Sequence, residues 1–241
     1  MPVLRVIGPG RAGGSLSAAL AAAGWQVAEP VRRGQDPAEA ADGVDLLVIA
    51  TPDAAVAGVA AAVTPVEGVV VAHLSGSLLL DALAPHDRRA SLHPLRSIPT
   101  PTTPLAGAWF AMAGDRLAGE GVAAGGGRPV VVDDDHRVIY HAAACIASNH
   151  LVALLGQVQR VAAAAGVPFE AYLELAGETL DNVGRLGPAP ALTGPVSRGD
   201  WAVVGRHLAA LPPDERLAYE AMAAAASKLV GMATTTAPEA G

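Results

Sequence analysis

Cysteine is almost absent from this chain of 241 residues. Cys145 stands alone, which excludes an internal disulfide and a thiolate metal cluster. Aromatic residues make up only 3%, so any core must be assembled from Ala, Val and Leu. Lysine is reduced to Lys228, no basic run occurs, and the formal net charge is -7. That balance argues against nucleic acid and anionic membrane as partners. No apolar run reaches the roughly 20 residues of a membrane span without glycine or charge interrupting it. No charged and then apolar leader pattern precedes the first apolar segment. Together these absences predict a soluble, cytoplasmic protein whose partner is a small molecule.

What the chain does have is apolar mass, 51% of it hydrophobic, and one organised stretch at its start, Val3 to Leu20. This stretch reads as a short buried strand, a glycine turn and a helix start. Gly8, Gly10 and Gly13 have G-x-G-x-x-G spacing. The first permits a tight turn, the second lets backbone N–H groups approach a pyrophosphate, and the third allows close helix–strand packing. The pattern predicts a dinucleotide site formed by Gly8, Gly10, Arg11, Ala12 and Gly13. A second strand is expected over Gln26 to Val31, ending at Arg32 and Arg33. An acidic residue at that tip would suit the ribose hydroxyl of NAD; two arginines suit a 2′-phosphate, which points to NADP.

Further along, Asp36 to Gly43 is expected to be a short helix and Val44 to Ala50 a doubly covered parallel strand. Thr51-Pro52-Asp53 ends that strand. Asp53 is placed to cap the following helix, while Thr51 and Pro52 lie where cofactors collect, at a strand's carboxyl end. Val69 to Ala72 should be another strand, followed by His73-Leu74-Ser75-Gly76-Ser77, and Arg89 to Leu92 one more, followed by His93-Pro94-Leu95. A hydroxyl and an imidazole at each of two strand ends suit proton transfer during hydride transfer, which makes His93 a candidate, while a structural role is favoured for His73 and Ser77. Pro99 to Pro104 reads as an extended loop flanking the pocket. Trp109 to Ala113 and Pro129 to Val132 read as the last strands, with a flexible turn at Gly125-Gly126-Gly127. Asp133-Asp134-Asp135 reads as a helix cap rather than a metal site.

From His136 the strand patterns stop and helix formers run to Gly166. His141, Cys145 and Asn149 recur every four residues and should share one face, with Ser148 beside them. His141 and Asn149 are candidate catalytic groups and Ser148 a substrate contact. Further helices are expected over Glu170 to Gly184, Asp200 to Ala210 and Pro213 to Leu229. The loop Ala191 to Asp200 between them offers Thr193 and Arg198 to a substrate carboxylate. The predicted organisation is α/β: a doubly wound Rossmann domain over 1–135, a helical domain over 136–232, and a disordered tail over 233–241.

The motifs GPGRAGG, ATPD, HLSGS, LHPL, YHAAACIASN and ALTGPVSRGD, in this order, resemble Rossmann-like proteins with a C-terminal domain of unknown function 2520. That family is similar to the 6-phosphogluconate and hydroxyisobutyrate dehydrogenase group. The resemblance implies a nucleotide domain, a long connecting helix, a helical domain and a homodimer. Some members are regarded as alternative ketopantoate reductases, so it also implies NADPH-dependent reduction of a 2-keto acid in pantothenate synthesis. The wider group carries a catalytic lysine one turn before its helix asparagine; aligned on Asn149, that position is Cys145. The pairing of Ser75 with His93 also resembles prephenate dehydrogenases. A nucleotide-binding sensor without chemistry is the competing expectation.

Overall fold

The computed structural model describes residues 1–235, and the chain divides into two compact units, Met1–Ser148 and Asn149–Gly241. The boundary placed near Asp135 coincides with the start of a long helix. The first part of that helix is counted within the first unit.

The first unit holds a seven-stranded sheet in the order β2-β1-β3-β4-β5-β6-β7. The strands are β1 (Val3–Ile7), β2 (Gln26–Val27), β3 (Leu46–Ile49), β4 (Val70–His73), β5 (Arg88–Leu95), β6 (Trp109–Gly114) and β7 (Arg128–Val131). All neighbours pair in parallel except β5 and β6. Helices α1 (Arg11–Ala22), α2 (Asp53–Ala62) and α3 (Arg116–Ala124) follow β1, β3 and β6. This is the expected Rossmann-like class. β3 is buried at every position, as a strand covered on both faces requires.

Each face of the sheet has its own core. On one side Leu4, Val6, Leu46, Val48, Leu92 and Phe110 pack with Leu16 and Leu20 of α1, Val122 of α3, and Trp25. On the other, Ile7, Leu47, Ile49 and Val71 pack with Val56 and Ala60 of α2 and with Leu83.

Two local expectations are corrected and a third is extended. The second strand is only Gln26–Val27; it resumes as an isolated bridge between Ile7 and Val31, because Pro30 has no N–H to give a ladder. Asp36 to Gly43 is a series of turns, not a helix. The Arg5 guanidinium donates to the carbonyls of Glu39, Ala40 and Asp42, taking acceptors that a helix would have used. The glycine turn before β7 is present at Gly125 and Gly126, but it closes a helix not expected from the sequence, α3.

The long helix begins as expected, with Asp133 accepting from the His136 N–H, and runs through α4 (Asp134–Cys145), a π-turn (Ile146–His150) and α5 (Leu151–Ala165). The second unit continues with α6 (Phe169–Leu186), α7 (Pro188–Ala191), α8 (Trp201–Ala210) and α9 (Pro213–Thr235). Asp200 caps α8 by accepting from the Val203 N–H at 3.1 Å. Arg160 of α5 pairs with Glu215 of α9. Among the described residues of this unit, Ala162 and Val204 alone are buried hydrophobics. Leu173, Leu175, Leu180 and Leu186 of α6 are exposed. Of the tail expected to be disordered, residues 233–235 continue α9, and 236–241 lie outside the described residues.

Candidate active site

The glycine turn has the predicted form. Gly8 adopts φ +84°, a conformation that glycine takes without strain. A side chain at Gly13 would lie 2.6 Å from the Gly8 carbonyl oxygen and 2.9 Å from both Ala50 and Val6, so its lack of a Cβ seats α1 against the sheet. At Gly10 the opposite holds: a Cβ would meet nothing within 4 Å, leaving open space in front of the helix. The first bond of α1 runs from the Gly14 N–H to the Gly10 carbonyl at 2.8 Å, and no side chain caps the start. The N–H groups of Arg11, Ala12 and Gly13 therefore point out of the helix, where an anion is favoured.

A second observation comes from the neighbouring strand end. Thr51 Oγ1 is buried without a hydrogen-bond partner, and its methyl lies within 3.4 Å of where a Gly8 Cβ would be. Free helix donors, open space at Gly10 and an unpaired hydroxyl fit a pyrophosphate-bearing dinucleotide. Pro52, the N-cap of α2, is exposed beside them. Arg32 and Arg33, just past the Val31 bridge, are exposed and have no ion-pair partner among the described residues. The Pro99 to Pro104 loop is anchored on α1: Ser15 donates to the Thr100 carbonyl at 3.2 Å, and a Gly14 side chain would strike Pro101.

On the second face of the sheet the core turns polar. His73 lies opposite Ser91 in register, and His93 follows Ser91 by two positions, on the same side of β5. Helix α4 covers this region with Arg137 and, three and four residues after it, Tyr140 and His141. Tyr140 Oη lies 2.6 Å from His93 Nδ1. The His93 and His141 rings meet edge to face with centroids 5.8 Å apart. Both close on Gly76, where a Cβ would clash with His141 Cδ2 and sit 2.9 Å from His93 Nε2. Gly76 thus lets two imidazoles converge at the carboxyl end of β4.

Ser75 is held differently from expectation. Its hydroxyl donates to Asp53 Oδ2 at 2.6 Å and accepts from the N–H groups of Ser77 and Leu78. Ser77 donates to the same carboxylate oxygen at 3.1 Å. Asp53 is therefore not the side-chain cap of α2, which has none. It sits one residue inside the helix and fastens the Ser75-Gly76-Ser77 loop beneath the imidazoles.

The electrostatics follow from burial. His93 is pushed down from 6.5 to about 4, by desolvation first and then by the positive charges of His141 and Arg137. His73, fully buried, is also lowered by desolvation and then by Arg137, against a hydrogen bond with the Leu79 backbone that raises it. Burial raises the Tyr140 phenol. Arg137 is completely buried; one terminal nitrogen bonds Ser91 Oγ and the Val132 carbonyl, while Nε and Nη1 have no partner. Its guanidinium stands 6.0 Å from the Tyr140 ring centre.

Of the sequence candidates, Ser75, His93 and His141 come together in the first unit, with the glycine turn and Thr51 on the same sheet. Cys145 Sγ lies 3.9 Å from His141 Nε2, so those two share the predicted face. Asn149 does not follow them on a regular α-helix, because the π-turn from Ile146 adds residues to the turn and shifts the register. Ser148 and Asn149 are exposed. Thr193 and Arg198 belong to the second unit and are exposed there. Sequence reasoning missed Arg137 and Tyr140. The available signal was their spacing, four and one residues before His141.

The family model described as "Domain of unknown function (DUF2520)" matches residues 112–226. No protein among those with curated descriptions matches the sequence. Among solved structures, a Thermotoga maritima protein is similar at 22% identity, covering 96% of this chain and 99% of its own, with a TM-score of 0.77. A Bacteroides fragilis protein, named a candidate NADP oxidoreductase, is similar at 20% identity over 94% of this chain and 98% of its own, TM-score 0.76. A reductive aminase from Aspergillus terreus, in complex with NADPH and ethyl levulinate, is similar at 19% identity over 96% and 88%, TM-score 0.61. At these identities the likeness is one of fold.

Proposed function

We propose that this chain is an NADP(H)-dependent oxidoreductase that reduces a small 2-keto acid, with ketopantoate, reduced to pantoate, as the leading substrate. The observation that carries this reading is the convergence of His93 and His141 on Gly76, at the carboxyl edge of the sheet that also bears the open glycine turn. A pyrophosphate is held by Gly8, Gly10 and the N–H groups of Arg11, Ala12 and Gly13, with Thr51 and Pro52 alongside. Arg32 and Arg33 take the 2′-phosphate. The similar aminase fold, solved with NADPH, supports the same cofactor here. When bound, reduced nicotinamide supplies a hydride to the carbonyl carbon.

The chain's own groups then have distinct tasks. His93 and His141 present proton-bearing nitrogens near the reacting oxygen, and Ser75 with Asp53 fixes the loop beneath them. To Asn149 we assign the donor to the carbonyl oxygen, and to Ser148, Thr193 and Arg198 the rest of the substrate, with Arg198 for its carboxylate. We further propose a homodimer through the helical unit, since α6 leaves Leu173 and Leu180 exposed on one of its sides and Leu175 and Leu186 on the other. The helical stretch Asp134–Ala165 is long and apolar enough to cross a membrane by length and composition. We assign the chain to the cytoplasm instead, because that stretch turns Arg137 and His141 onto the sheet of a Rossmann-like unit.

A thermal-shift and NADPH-oxidation screen against ketopantoate, other branched 2-keto acids, prephenate and cyclic imines tests the reading. NADPH should raise the melting temperature, and ketopantoate should be consumed fastest. Turnover of imines or prephenate alone would replace the substrate. One observation favours a second reading, a nucleotide sensor: Cys145 stands where the resembling dehydrogenases carry lysine. NADPH binding without turnover of any compound would establish that reading.

A further inference from the structure

We propose that Tyr140 supplies the proton for reduction through His93, doing here what a lysine on the connecting helix does in the resembling dehydrogenases. The inference rests on the reductase reading above, and its geometry lies entirely within the first unit.

The hydrogen bond between Tyr140 Oη and His93 Nδ1, at 2.6 Å, is the link in this route, with the phenol as its donor. Burial favours a protonated phenol and a neutral imidazole, two states in which the phenol can donate and Nδ1 accept. The ring proton of His93 must then sit on Nε2. That nitrogen is the atom aimed at Gly76, 2.9 Å from the position a Cβ would take. His93 is thus a neutral donor at the strand end. It cannot store an imidazolium proton at neutral pH, and giving up Nε2–H alone would leave an imidazolate. Tyr140 resolves this by protonating Nδ1 as Nε2 is deprotonated.

The balance closes as follows. With a hydride added to the carbonyl carbon, the C=O π pair would lie on oxygen, and the His93 Nε2 proton would bond to that oxygen. The Tyr140 proton passes to Nδ1, leaving a neutral imidazole and a phenolate. Solvent returns one proton to Nε2 while Nδ1 gives its own back to the phenolate. The net consumption is one hydride and one solvent proton.

Arg137 makes the phenolate accessible. It is buried, has no ion-pair partner among the described residues, and its guanidinium stands 6.0 Å from the Tyr140 ring. The remaining groups acting on His93 are His141 on α4, His73 on β4 and Asp53 on α2. Asp53 opposes the others, and its charge is already shared between Ser75 and Ser77. Tyr140 acts through His93 and is therefore a positioning and proton-supplying residue.

The test has a readout independent of turnover. In ¹⁵N-histidine-labelled protein without cofactor, the His93 signal, assigned by its loss in His93→Gln, should report the Nε2–H tautomer. Tyr140→Phe should convert it to a mixture containing Nδ1–H. A parent His93 protonated at Nδ1 overturns the proposal. With an active substrate, Tyr140→Phe should lower kcat by about 10²- to 10⁴-fold, leaving KM and NADPH affinity nearly unchanged and lowering the melting temperature only by the few degrees that one lost hydrogen bond costs. Fluorotyrosine at position 140 should restore turnover and move the alkaline limb of the kcat profile to lower pH; an unmoved limb, or a Tyr140→Phe enzyme at the parent rate, also overturns it. If the parent protein reduces nothing, the reductase reading falls and with it this proton route, while the NMR result still fixes where the resting proton lies.

Discussion

Lowering the pH should unload the first unit at His93 in a way that can be separated from every other titration. A histidine whose folded pKa lies below its unfolded value binds its proton first in the unfolded chain. Its contribution to stability is therefore intact above about pH 6.5 and is lost as pH falls toward the folded value. For His93 the window runs from 6.5 down to about 4. With about 1.4 kcal/mol per pKa unit, the loss between pH 7.5 and 4.5 comes to about 2.5 kcal/mol. His93→Gln abolishes this titration while retaining a polar side chain. At pH 7.5 the variant should be less stable by about 1 kcal/mol, the worth of the Tyr140 hydrogen bond. By pH 4.5 the order should reverse. Carboxylates and His73 titrate in both proteins and cancel in the difference. Two compact units need not unfold together, so the reporter has to be local. In a Trp201→Phe background the remaining tryptophans, Trp25 and Trp109, both lie in Met1–Ser148, and urea unfolding followed by their fluorescence reads that unit. A stability difference that stays constant across this pH range would refute the burial argument for His93.

Arg32→Ala with Arg33→Ala should weaken NADPH by a few kcal/mol and leave NADH nearly unchanged, because only the 2′-phosphate is lost as a partner; equal losses in titration calorimetry would reject the assignment. Gly10→Val and Gly13→Ala should separate binding from folding. Gly10 faces open space, so valine there should abolish binding of both cofactors while leaving the melting temperature of the apo protein within a degree or two. Gly13 is pressed against the Gly8 carbonyl, so alanine should cost about 1 to 3 kcal/mol of stability. Retained binding in Gly10→Val would refute the pyrophosphate cradle.

The parts of the fold that could be read from sequence are those fixed by short-range rules. Glycine spacing after a strand specifies a turn, a run such as Leu46 to Ile49 specifies a covered strand, and Asp133 before a helix specifies a cap. The parts that could not be read depend on distant partners. Asp53 has the position of a cap but bonds hydroxyls 22 and 24 residues away. Asp36 to Gly43 has helical composition but loses its carbonyls to Arg5. Helix α4 is the most instructive case. Hydrophobicity alone would turn Val138 and Ile139 inward and Arg137 outward, yet the valine and isoleucine are 67% and 68% exposed and the arginine is at 0%. The periodicity is helical, but it marks the polar face as the buried one.

That inversion has a cost, and its location is informative. Burying a guanidinium with two unpaired nitrogens beside a fully buried imidazole opposes folding by several kcal/mol relative to an apolar layer. A sheet selected for stability alone would carry Val or Leu at these positions, as it does on its opposite face, where Leu46, Val48, Leu92 and Phe110 are fully apolar. The same face is apolar at Leu47, Ile49 and Val71 and becomes polar at His73, Ser91 and His93, beneath α4. The destabilising groups are therefore confined to the strand ends where ligands of open α/β sheets collect. Local strain and unpaired polarity persist where they perform a task. For Arg137 the task consistent with its neighbours is electrostatic: a fixed positive charge beneath Tyr140 that adds to burial in lowering His73 and His93 and favours negative charge on the phenol when its proton leaves.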